Sequence, residues 1–214
     1  MRRPRLLSSG RIQPDTRLPR QSAVESEGVP LSELENMLGG RPYDASDPEL
    51  LAARVRARRL SQRLNSLDPD DPERSDALRD LLGAVGPGSW VETPLYCDYG
   101  SQVALGARVF VNMGCIFLDA APITLGDDVQ LGPAVQLLTS DHPRDAAQRA
   151  AGLESAKPIS IGERAWLGGG VIVLPGVEIG RDAIIGAGSV VTSSVPPGVT
   201  AAGNPCRIIS RRVG

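Results

Sequence analysis

Aliphatic residues recur every six positions over most of the second half of the chain. From about residue 100, six-residue units can be aligned as LGARVF, VNMGCI, LGDDVQ, LGPAVQ, IGERAW, LGGGVI, VLPGVE, IGRDAI and IGAGSV. The first residue of a unit is nearly always aliphatic, the second is usually glycine, and the fifth is Val, Ala, Ser or Cys. Such regular spacing indicates a structural repeat.

A period of six has a direct structural meaning. If each unit is a short strand followed by a turn, three units of about 18 residues in total close one triangular coil. The aliphatic residue then points inward, the small fifth residue fits beside it, and glycine allows left-handed backbone angles at the turn. Stacked coils would bury a continuous aliphatic prism. The repeat therefore predicts a mainly β protein built as a parallel β-helix, but it does not fix the hand of the coil.

The repeat is interrupted once, between residues 138 and 158, and it resumes at ISIGERAW. An interruption of this length in a solenoid predicts a loop that leaves the coil, and such insertions usually gather on a functional face. The loop contains His142, and the chain has only 1 histidine in 214 residues.

The segment 31–87 shows a different periodicity, which predicts a small helical cap. Asp47 can cap a helix whose first residue is Pro48. The apolar residues of this helix fall near one face, and they are Leu50, Leu51, Val55, Leu60 and Leu64. A second helix is expected after Asp71 as cap and Pro72, ending near Gly83.

The N-terminal segment 1–30 is rich in Arg, Ser and Pro and has no apolar periodicity, which predicts a disordered extension. A transit peptide shares the enrichment in Arg and Ser. The expected organisation is therefore an extension over 1–30, a helical cap over 31–87, and a β-helix over 88–214 with its loop at 138–158 and a C-terminal segment.

Composition narrows the possible functions. Aromatic residues make up only 3% of the chain, which fits a prism filled by aliphatic side chains. A net charge of −2 argues against nucleic acid and against an anionic membrane surface as partners. Cys97, Cys115 and Cys206 form no CxxC pair, so neither a disulfide framework nor a zinc site is indicated. We expect a cytoplasmic protein without a metal.

The repeats and the segments around them resemble the maltose and galactoside O-acetyltransferases, a family of left-handed β-helix acyltransferases built from hexapeptide repeats. The similarity covers about residues 34–210, and an ordered set of segments carries it: YDASDPEL, CDYG, VFVNMGCIFLD, LGPAVQLLTSDHP, GLESAKPISIG, AWLGGGVIVLPGV, IGAGSVVTSSVPPG and AAGNPCRII. The hexapeptides alone specify only the fold, whereas the ordered set is specific. The hand of the coil follows from this resemblance.

The resemblance implies transfer of an acetyl group from acetyl-CoA to a sugar hydroxyl, directly and within a ternary complex. His142 matches the family's catalytic histidine, and imidazole is suited to act as a base near neutral pH. Asn112 matches the asparagine that contacts the acceptor near this histidine. Glu154 is expected to orient the imidazole or to bind the sugar. Asp98 and Asp44 are candidate acceptors of hydrogen bonds from sugar hydroxyls.

The resemblance also indicates where acetyl-CoA would bind. Trp166, Gly168 and Gly169 match positions beside the thioester and the pantetheine arm, where a glycine N–H can stabilise an oxyanion. Further contacts to the cofactor are implied at four positions, which are Ala187, Thr192, Ser193 and Arg207.

Two positions depart from the family pattern. Ser193 stands where relatives carry a lysine, which predicts the loss of one contact to phosphate. Asp141 stands beside His142 in place of a small or neutral residue. Its carboxylate either raises the pKa of the imidazole or points to solvent.

Three other functions remain compatible with this architecture. A carbonic anhydrase of the hexapeptide type is disfavoured, because its metal site resembles a cluster of three histidines and this chain has only 1 histidine. An acyltransferase acting on an antibiotic, an amino sugar or serine is a second possibility, and a β-helix scaffold without activity is the third. The family forms homotrimers with active sites between subunits, and the flat sides of a solenoid fit such packing.

Overall fold

The structure is a computed structural model that describes residues 31–211. The extension predicted over 1–30 and the last three residues of the chain lie outside the described residues. Among residues 31–211, no helix is both long enough and apolar enough to cross a membrane.

Helices are confined to the cap and to the loop. They are α1 (Glu33–Leu38), α2 (Pro48–Ser66), α3 (Arg74–Leu81) and α4 (Ala146–Ala150). The strands are short, and in chain order they are β1 (Tyr43–Asp44), β2 (Ala84–Val85), β3 (Trp90–Val91), β4 (Tyr96–Cys97), β5 (Val103–Leu105), β6 (Phe110–Val111), β7 (Ile116–Leu118), β8 (Ile123–Leu125), β9 (Gln130–Leu131), β10 (Gln136–Leu138), β11 (Ser140–Asp141), β12 (Leu153–Ala156), β13 (Ile159–Ile161), β14 (Trp166–Leu167), β15 (Ile172–Val173), β16 (Glu178–Ile179), β17 (Ile184–Ile185), β18 (Val190–Val191), β19 (Val199–Ala202) and β20 (Arg207–Arg211).

Most of these strands form three parallel sheets around a common axis, which confirms the predicted parallel β-helix. Sheet 1 has the order β2-β5-β8-β13-β16, and sheet 2 has the order β3-β6-β9-β14-β17-β19-β20. Sheet 3 has the order β4-β7-β10-β15-β18. The coil is left-handed and makes about six turns. Its last strand, β20, turns back and pairs antiparallel with β19.

The interior of the coil is aliphatic, as the composition predicts. Leu105, Val111, Leu131 and Leu167 are almost completely buried, and Phe117 is an aromatic side chain in the same core. Small residues at the fifth position of a unit, such as Ala165 and Ala183, are buried beside them. Stacking the coils therefore buries one continuous aliphatic prism, and this burial is the main stabilising contribution.

Glycine is required at the second position of a unit, but for a different reason from the expected one. A Cβ atom on Gly168 would lie 2.6 Å from the backbone nitrogen of Ala187 in the next coil. Left-handed angles occur instead at the fourth position, which is Arg164 (φ 56°) in one unit and Gly170 (φ 69°) in the next. Glycine at the second position is thus required by the close approach of stacked backbones, and the prediction that it serves a left-handed turn was wrong.

Helix α2 begins as predicted, with the side chain of Asp47 accepting a hydrogen bond from the Glu49 amide. Leu50 and Leu64 are buried, but Leu51 and Val55 are 46% and 45% exposed. The predicted apolar face was therefore too broad. The buried face of α2 includes the small residues Ala57 and Ser61, and it excludes Leu51 and Val55.

Helix α3 begins later than the sequence pattern predicts. Its N-cap is Glu73, and Asp71 instead accepts a hydrogen bond from the Glu73 amide in the preceding turn. The helix ends at Leu81, close to the predicted position at Gly83. Leu64 and Leu81 join the same core cluster as the first coil, so the cap and the β-helix are packed together.

The loop 138–158 is an ordered structure with its own strand pairing. Strand β11 pairs antiparallel with β12, and β12 pairs antiparallel with β1 of the cap. These three strands form a small sheet. A second apolar cluster, which includes Met37, Tyr43, Tyr99 and Ala156, connects the cap, the coil and the loop. The loop is therefore tied to the cap by both main-chain and side-chain contacts.

Candidate active site

Successive coils carry extra residues at one corner, between sheets 3 and 1. The inward residues Cys97 and Leu105 are eight positions apart, and so are Phe117 and Leu125. As a result, the first coils contain 20 residues, as shown by the pairing of Ala84 with Ala104. The later coils contain the predicted 18, because Ser160 pairs with Glu178.

We call this region the site corner, and it consists of the turns 98–102 and 119–122 and the loop 139–158. The three segments leave the coil at equivalent positions in three stacked coils. Each segment contributes to a cavity that the cap closes from one side. The extra residues of the first two coils therefore serve to build a site next to the inserted loop.

This cavity, which we call the acceptor cavity, has a volume of about 230 Å³. It is lined by residues from the cap, the coil and the loop: Tyr43, Ala45, Arg54, Arg58, Asp98, Tyr99, Ala120, Ser140 and Glu154. Two predicted site residues, Asp98 and Glu154, come together here although they are distant in sequence. The lining is rich in carboxylate, guanidinium and hydroxyl groups, which are suited to the hydroxyls of a small polar molecule.

Tyrosines hold the charged groups of the acceptor cavity in place. The Tyr43 hydroxyl donates a hydrogen bond to Glu154 Oε2 at 2.9 Å. Arg54 Nη1 donates to the Tyr99 hydroxyl at 2.7 Å, and its Nη2 donates to the carbonyl of Ala45. Burial, and after it the charge of Glu154, raises the pKa of Tyr43, so its phenol remains a hydrogen bond donor at neutral pH.

Asp119 is a buried carboxylate beneath the cavity, and the sequence analysis did not single it out. Its Oδ1 accepts hydrogen bonds from the amides of Asp98 at 3.1 Å and Tyr99 at 2.9 Å. Its Oδ2 accepts one from the amide of Gln102 at 3.3 Å. Asp119 thus fixes the backbone of the turn 98–102 and, with it, the position of the Asp98 side chain.

Asp98 is a partly buried carboxyl group close to a second one, and both circumstances oppose its ionisation. Burial and then the charge of Asp119 raise the pKa of Asp98. Burial also raises the pKa of Asp119, although hydrogen bonds from backbone amides act in the opposite direction. The site corner therefore contains a carboxyl group, Asp98, that is held at a cost in folding free energy.

This cost can be measured with Asp98→Asn. A raised pKa means that the folded state holds the proton more tightly than the unfolded chain does. Stability is therefore lost as pH rises from the ordinary Asp range, about 3.9, through the raised value. We expect Asp98→Asn to have a higher free energy of unfolding than wild type in urea at pH 7. The difference should shrink at pH 4, and a variant that is less stable at pH 7 would contradict this account.

His142 lies directly after strand β11, with its side chain exposed. Within residues 31–211 its imidazole makes no hydrogen bond, so neither nitrogen is occupied by the folded chain. Ser140, two residues earlier, lines the acceptor cavity. His142 itself is not among the residues that line the cavity, and the described chain leaves its imidazole without a hydrogen bond.

Asp141 is bonded to its own loop. Its carboxylate oxygens accept hydrogen bonds from the two terminal nitrogens of Arg144, each at 3.0 Å. One oxygen also accepts the backbone amide of His142 at 2.9 Å. Partial burial opposes ionisation, but the bonds from Arg144 and from the amide outweigh it and lower the pKa of Asp141. The carboxylate is therefore engaged with Arg144 and the main chain, where it shapes the turn that carries His142.

The remaining acceptor residues lie apart from this cavity or have other partners. Asp44 Oδ1 accepts bonds from the amide and the hydroxyl of Ser46, which makes it a turn residue before α2. Asn112 follows β6 at a different corner, and its Oδ1 accepts the amide of Met113. Glu154 is bonded to Tyr43, and no bond joins it to the imidazole of His142 within the described residues. A single chain therefore brings together Asp98, Glu154 and Ser140 at the start of the loop. Asn112 lies at a different corner of the coil.

The residues expected to bind acetyl-CoA are spread along sheets 2 and 3. Trp166 lies on the outer face of β14 and is 51% exposed. Gly168 follows it, and Ala187 stacks on Gly168 in the next coil, while Gly169 packs against Pro133. Thr192 follows β18 and is exposed.

A groove near the C-terminus contains the position that departs from the family. Ser193 and Arg207 both line it, together with Cys206. Both Ser193 and Arg207 are exposed. The guanidinium of Arg207 donates a hydrogen bond to the backbone carbonyl of Cys206 at 2.8 Å.

The three cysteines have protonated thiols at neutral pH. Burial raises the pKa of Cys115 to about 11. Burial also raises the pKa of Cys97, and it raises the pKa of Cys206, which is less deeply buried. A nucleophilic thiolate is thus disfavoured at each position. Among the described residues, no group of three or more His, Cys, Asp or Glu side chains is placed to hold a metal ion.

Sequence reasoning missed Tyr43, Arg54, Arg58 and Asp119. Tyr43 and Asp119 both occur in segments that carry the family resemblance, YDASDPEL and VFVNMGCIFLD. A carboxylate placed directly after an apolar strand is a signal that could have identified Asp119. The arginines had no comparable signal, because the helix to which they belong contains many other arginines.

Comparison with known proteins agrees with this arrangement. The maltose acetyltransferase hexapeptide capping motif matches residues 36–86, and the bacterial transferase hexapeptide motif of six repeats matches residues 158–193. Nodulation protein L of Rhizobium meliloti (strain 1021) is 47% identical over 175 residues, which cover 81% of this chain and 96% of that protein.

Solved structures give the same result. The maltose O-acetyltransferase from Clostridium difficile 630 superposes with a TM-score of 0.84 and 44% identity, covering 86% of this chain and 99% of the other. A galactoside acetyltransferase in complex with coenzyme A has a TM-score of 0.81 and 34% identity, with 85% and 92% covered. The fold and the site thus define an acetyltransferase of the hexapeptide-repeat class. Within that class, the chain belongs to the family of the maltose and galactoside O-acetyltransferases.

Proposed function

We propose that this protein transfers the acetyl group of acetyl-CoA to a hydroxyl group of a sugar. The sugar in this proposal is similar to maltose, glucose or a galactoside. The observation that carries the proposal is the acceptor cavity at the site corner. Short, rigidly held polar groups such as Asp98 and Glu154 can accept hydrogen bonds from sugar hydroxyls, and Arg54 and Arg58 can donate to sugar oxygens. The volume of about 230 Å³ suits a molecule the size of one sugar ring.

His142 is the general base in this proposal. A free imidazole nitrogen takes the proton of the acceptor hydroxyl while the oxygen attacks the thioester carbon of acetyl-CoA. The tetrahedral intermediate then collapses, the carbon–sulfur bond breaks, and the proton passes from the imidazolium to the departing thiolate. The products are the acetylated sugar and coenzyme A, and no covalent enzyme intermediate is formed. A backbone N–H at Gly168 or Gly169 would stabilise the oxyanion.

A homotrimer completes the site in this proposal. Asn112 does not line the acceptor cavity of its own chain, and Met113 beside it is 54% exposed. Packing of neighbouring coils would bring Asn112 of one subunit toward His142 of another, and a heterologous contact of this kind closes into a ring. Acetyl-CoA would lie between the packed coils of two subunits, against Trp166, with Thr192 and Arg207 further along.

The experiment that tests the proposal is thiol release from acetyl-CoA with glucose, maltose, galactosides, glucosamine, serine and chloramphenicol as acceptors. We expect release that depends on a neutral sugar, and the acetylated sugar should be detected by mass spectrometry. Faster release with serine or chloramphenicol would assign a different acceptor. An absence of release with every acceptor, together with no binding of acetyl-CoA, would favour a scaffold without activity.

A further inference from the structure

The turn that carries His142 begins where the strand pairing of the loop ends. Strand β11 pairs with β12 through Ser140 and Asp141. His142 follows Asp141 and lies outside the strands that the described part of the chain forms. The pairing of the small sheet therefore does not fix the main chain of His142, and other contacts must hold it in place.

Two neighbouring side chains bond to the main chain of His142. Asp141 Oδ1 accepts a hydrogen bond from the His142 amide at 2.9 Å, and Arg144 Nη1 donates one to the His142 carbonyl at 3.2 Å. The same two side chains also bond to each other, from Nη1 to Oδ1 and from Nη2 to Oδ2, each at 3.0 Å. The amide and the carbonyl of His142 thus belong to one closed network with Asp141 and Arg144, which we call the histidine clamp.

The geometry of the histidine clamp restricts the turn. A guanidinium that donates two parallel hydrogen bonds to a carboxylate is fixed in orientation as well as in distance. Pro143 follows His142, and a proline disfavours helical backbone angles in the residue before it. Arg149 of helix α4 donates to the carbonyl of Pro143 at 2.9 Å, which ties the helix to the same turn. These contacts together restrict the direction in which the Cα–Cβ bond of His142 points.

The ion pair of the histidine clamp lies at the surface, so its effect on folding is small. The side chain of Arg144 is 85% exposed and that of Asp141 is 34% exposed. Exposed ion pairs contribute little to the free energy of unfolding. A reaction rate depends more steeply on position, because a misplacement of about 1 Å can lower it by about 10²-fold. The clamp can therefore matter for catalysis although it matters little for stability.

From these contacts we infer that Arg144 is a positioning residue, which acts through Asp141 and the main chain of His142 to place the imidazole for proton transfer. Arg144 itself contacts neither the sugar nor acetyl-CoA in this account. The inference rests on the proposed function, because it concerns the base of that reaction. It predicts that loss of Arg144 lowers the rate of the chemical step and leaves the binding of both substrates unchanged.

The test replaces the two side chains of the clamp singly and together. Arg144→Ala should lower kcat about tenfold or more, while KM for acetyl-CoA and KM for the sugar change by less than about twofold. Asp141→Ala should have an effect of similar size. The double variant should be no slower than the slower single variant, because both changes break the same network. Arg144→Lys should recover only part of the rate, because an ammonium group cannot form the two parallel bonds.

The chain offers a matched control on helix α3. Arg79 pairs with Asp76 at the same spacing of three residues, and both side chains are exposed. Arg79→Ala therefore removes an equivalent ion pair that bonds to no histidine, and it should keep the wild-type kcat and KM. The Tm of Arg144→Ala should equal that of Arg79→Ala, since both changes break an exposed pair.

Three kinetic results would overturn the inference in an active wild-type enzyme. The first is a kcat of Arg144→Ala that equals the wild-type value. The second is a rise in KM for acetyl-CoA that Arg144→Ala also causes in the Asp141→Ala background, because Arg144 would then bind the donor directly. The third is a double variant whose loss of rate is the product of the two single losses, because the side chains would then act independently.

A measurement without substrate is possible because the chain contains 1 histidine. Selective labelling with ¹⁵N-histidine, in protein without a histidine tag, gives one backbone amide signal, and it belongs to His142. Its heteronuclear NOE reports fast main-chain motion, and it should fall in Arg144→Ala but not in Arg79→Ala. An unchanged NOE in Arg144→Ala overturns the clamp whether or not a sugar is acetylated. If wild type acetylates no sugar but the NOE falls as expected, the proposed function fails and the clamp remains as the structure that orders His142.

Discussion

Replacing His142 with alanine is expected to lower kcat for acetyl transfer to a sugar by about 10²–10⁴-fold, the range observed for the loss of a general base. A sugar hydroxyl has a pKa far above 7, so its oxygen is a poor nucleophile until a base takes its proton. The imidazole makes no hydrogen bond within the described chain, and its removal should leave the loop intact. KM for acetyl-CoA should therefore change little. Thiol release under steady-state conditions measures both constants.

A second variant of the same loop separates chemistry from loop structure. Gln148 lies on α4 with its side chain exposed, and Gln148→Ala should retain wild-type kcat. Thermal unfolding should give the same Tm for His142→Ala as for wild type, since an exposed side chain is removed. A decrease of less than tenfold in His142→Ala, or an equal decrease in Gln148→Ala, would show that His142 is not the base.

Asp119→Ala is expected to lower the free energy of unfolding by about 3 kcal/mol or more. The carboxylate accepts hydrogen bonds from the amides of Asp98, Tyr99 and Gln102, and its side chain is fully buried. Alanine leaves these donors without a partner in a place that water does not reach, and an unsatisfied buried donor is costly. Urea denaturation at pH 7 measures the loss. Since the turn 98–102 would relax, KM for the sugar should rise more than KM for acetyl-CoA.

The control for Asp119 is a carboxylate on the surface. Asp76 is 72% exposed and pairs with Arg79 on helix α3, so Asp76→Ala should change stability only slightly. Asp119→Asn keeps one oxygen acceptor and should lose less stability than Asp119→Ala. If Asp119→Ala were as stable as Asp76→Ala, the turn would not depend on this carboxylate. If its KM for the sugar were also unchanged, Asp119 would have no part in placing Asp98.

The repeated part of the fold follows directly from the sequence, because each coil is specified by its own residues. Aliphatic, glycine and small positions recur at a period that only stacked coils satisfy, and Asp47 and Pro48 mark the start of α2. The exposed positions Leu51 and Val55 show the limit of this reasoning. Apolar periodicity identifies a helix, but which residues are buried depends on the shape of the surface on which the helix packs.

The candidate site could be predicted only in part, for a similar physical reason. Asp98 and Glu154 occur in distinctive segments, and the structure brings both to the acceptor cavity, whereas the role of His142 stays a prediction. The pairing of Tyr43 with Glu154 joins strands of two and four residues that are 111 positions apart in the chain. Short strands carry no local signal of their partner, and the burial of Asp119 depends on the coil above it. Such contacts come from tertiary structure, so the sequence pattern could name residues but not assemble the cavity.

The location of the extra residues at a single corner has a consequence for how such an enzyme can acquire new substrates. Extra residues can be inserted between the inward residue of a sheet 3 strand and the inward residue of the following sheet 1 strand. The loop 139–158 is such an insertion, and the strands before and after it keep their pairing. Recognition is thereby uncoupled from the stability of the prism. Under the proposed function, segments of different length exchanged at this corner should alter the choice of acceptor while the rest of the solenoid folds as before.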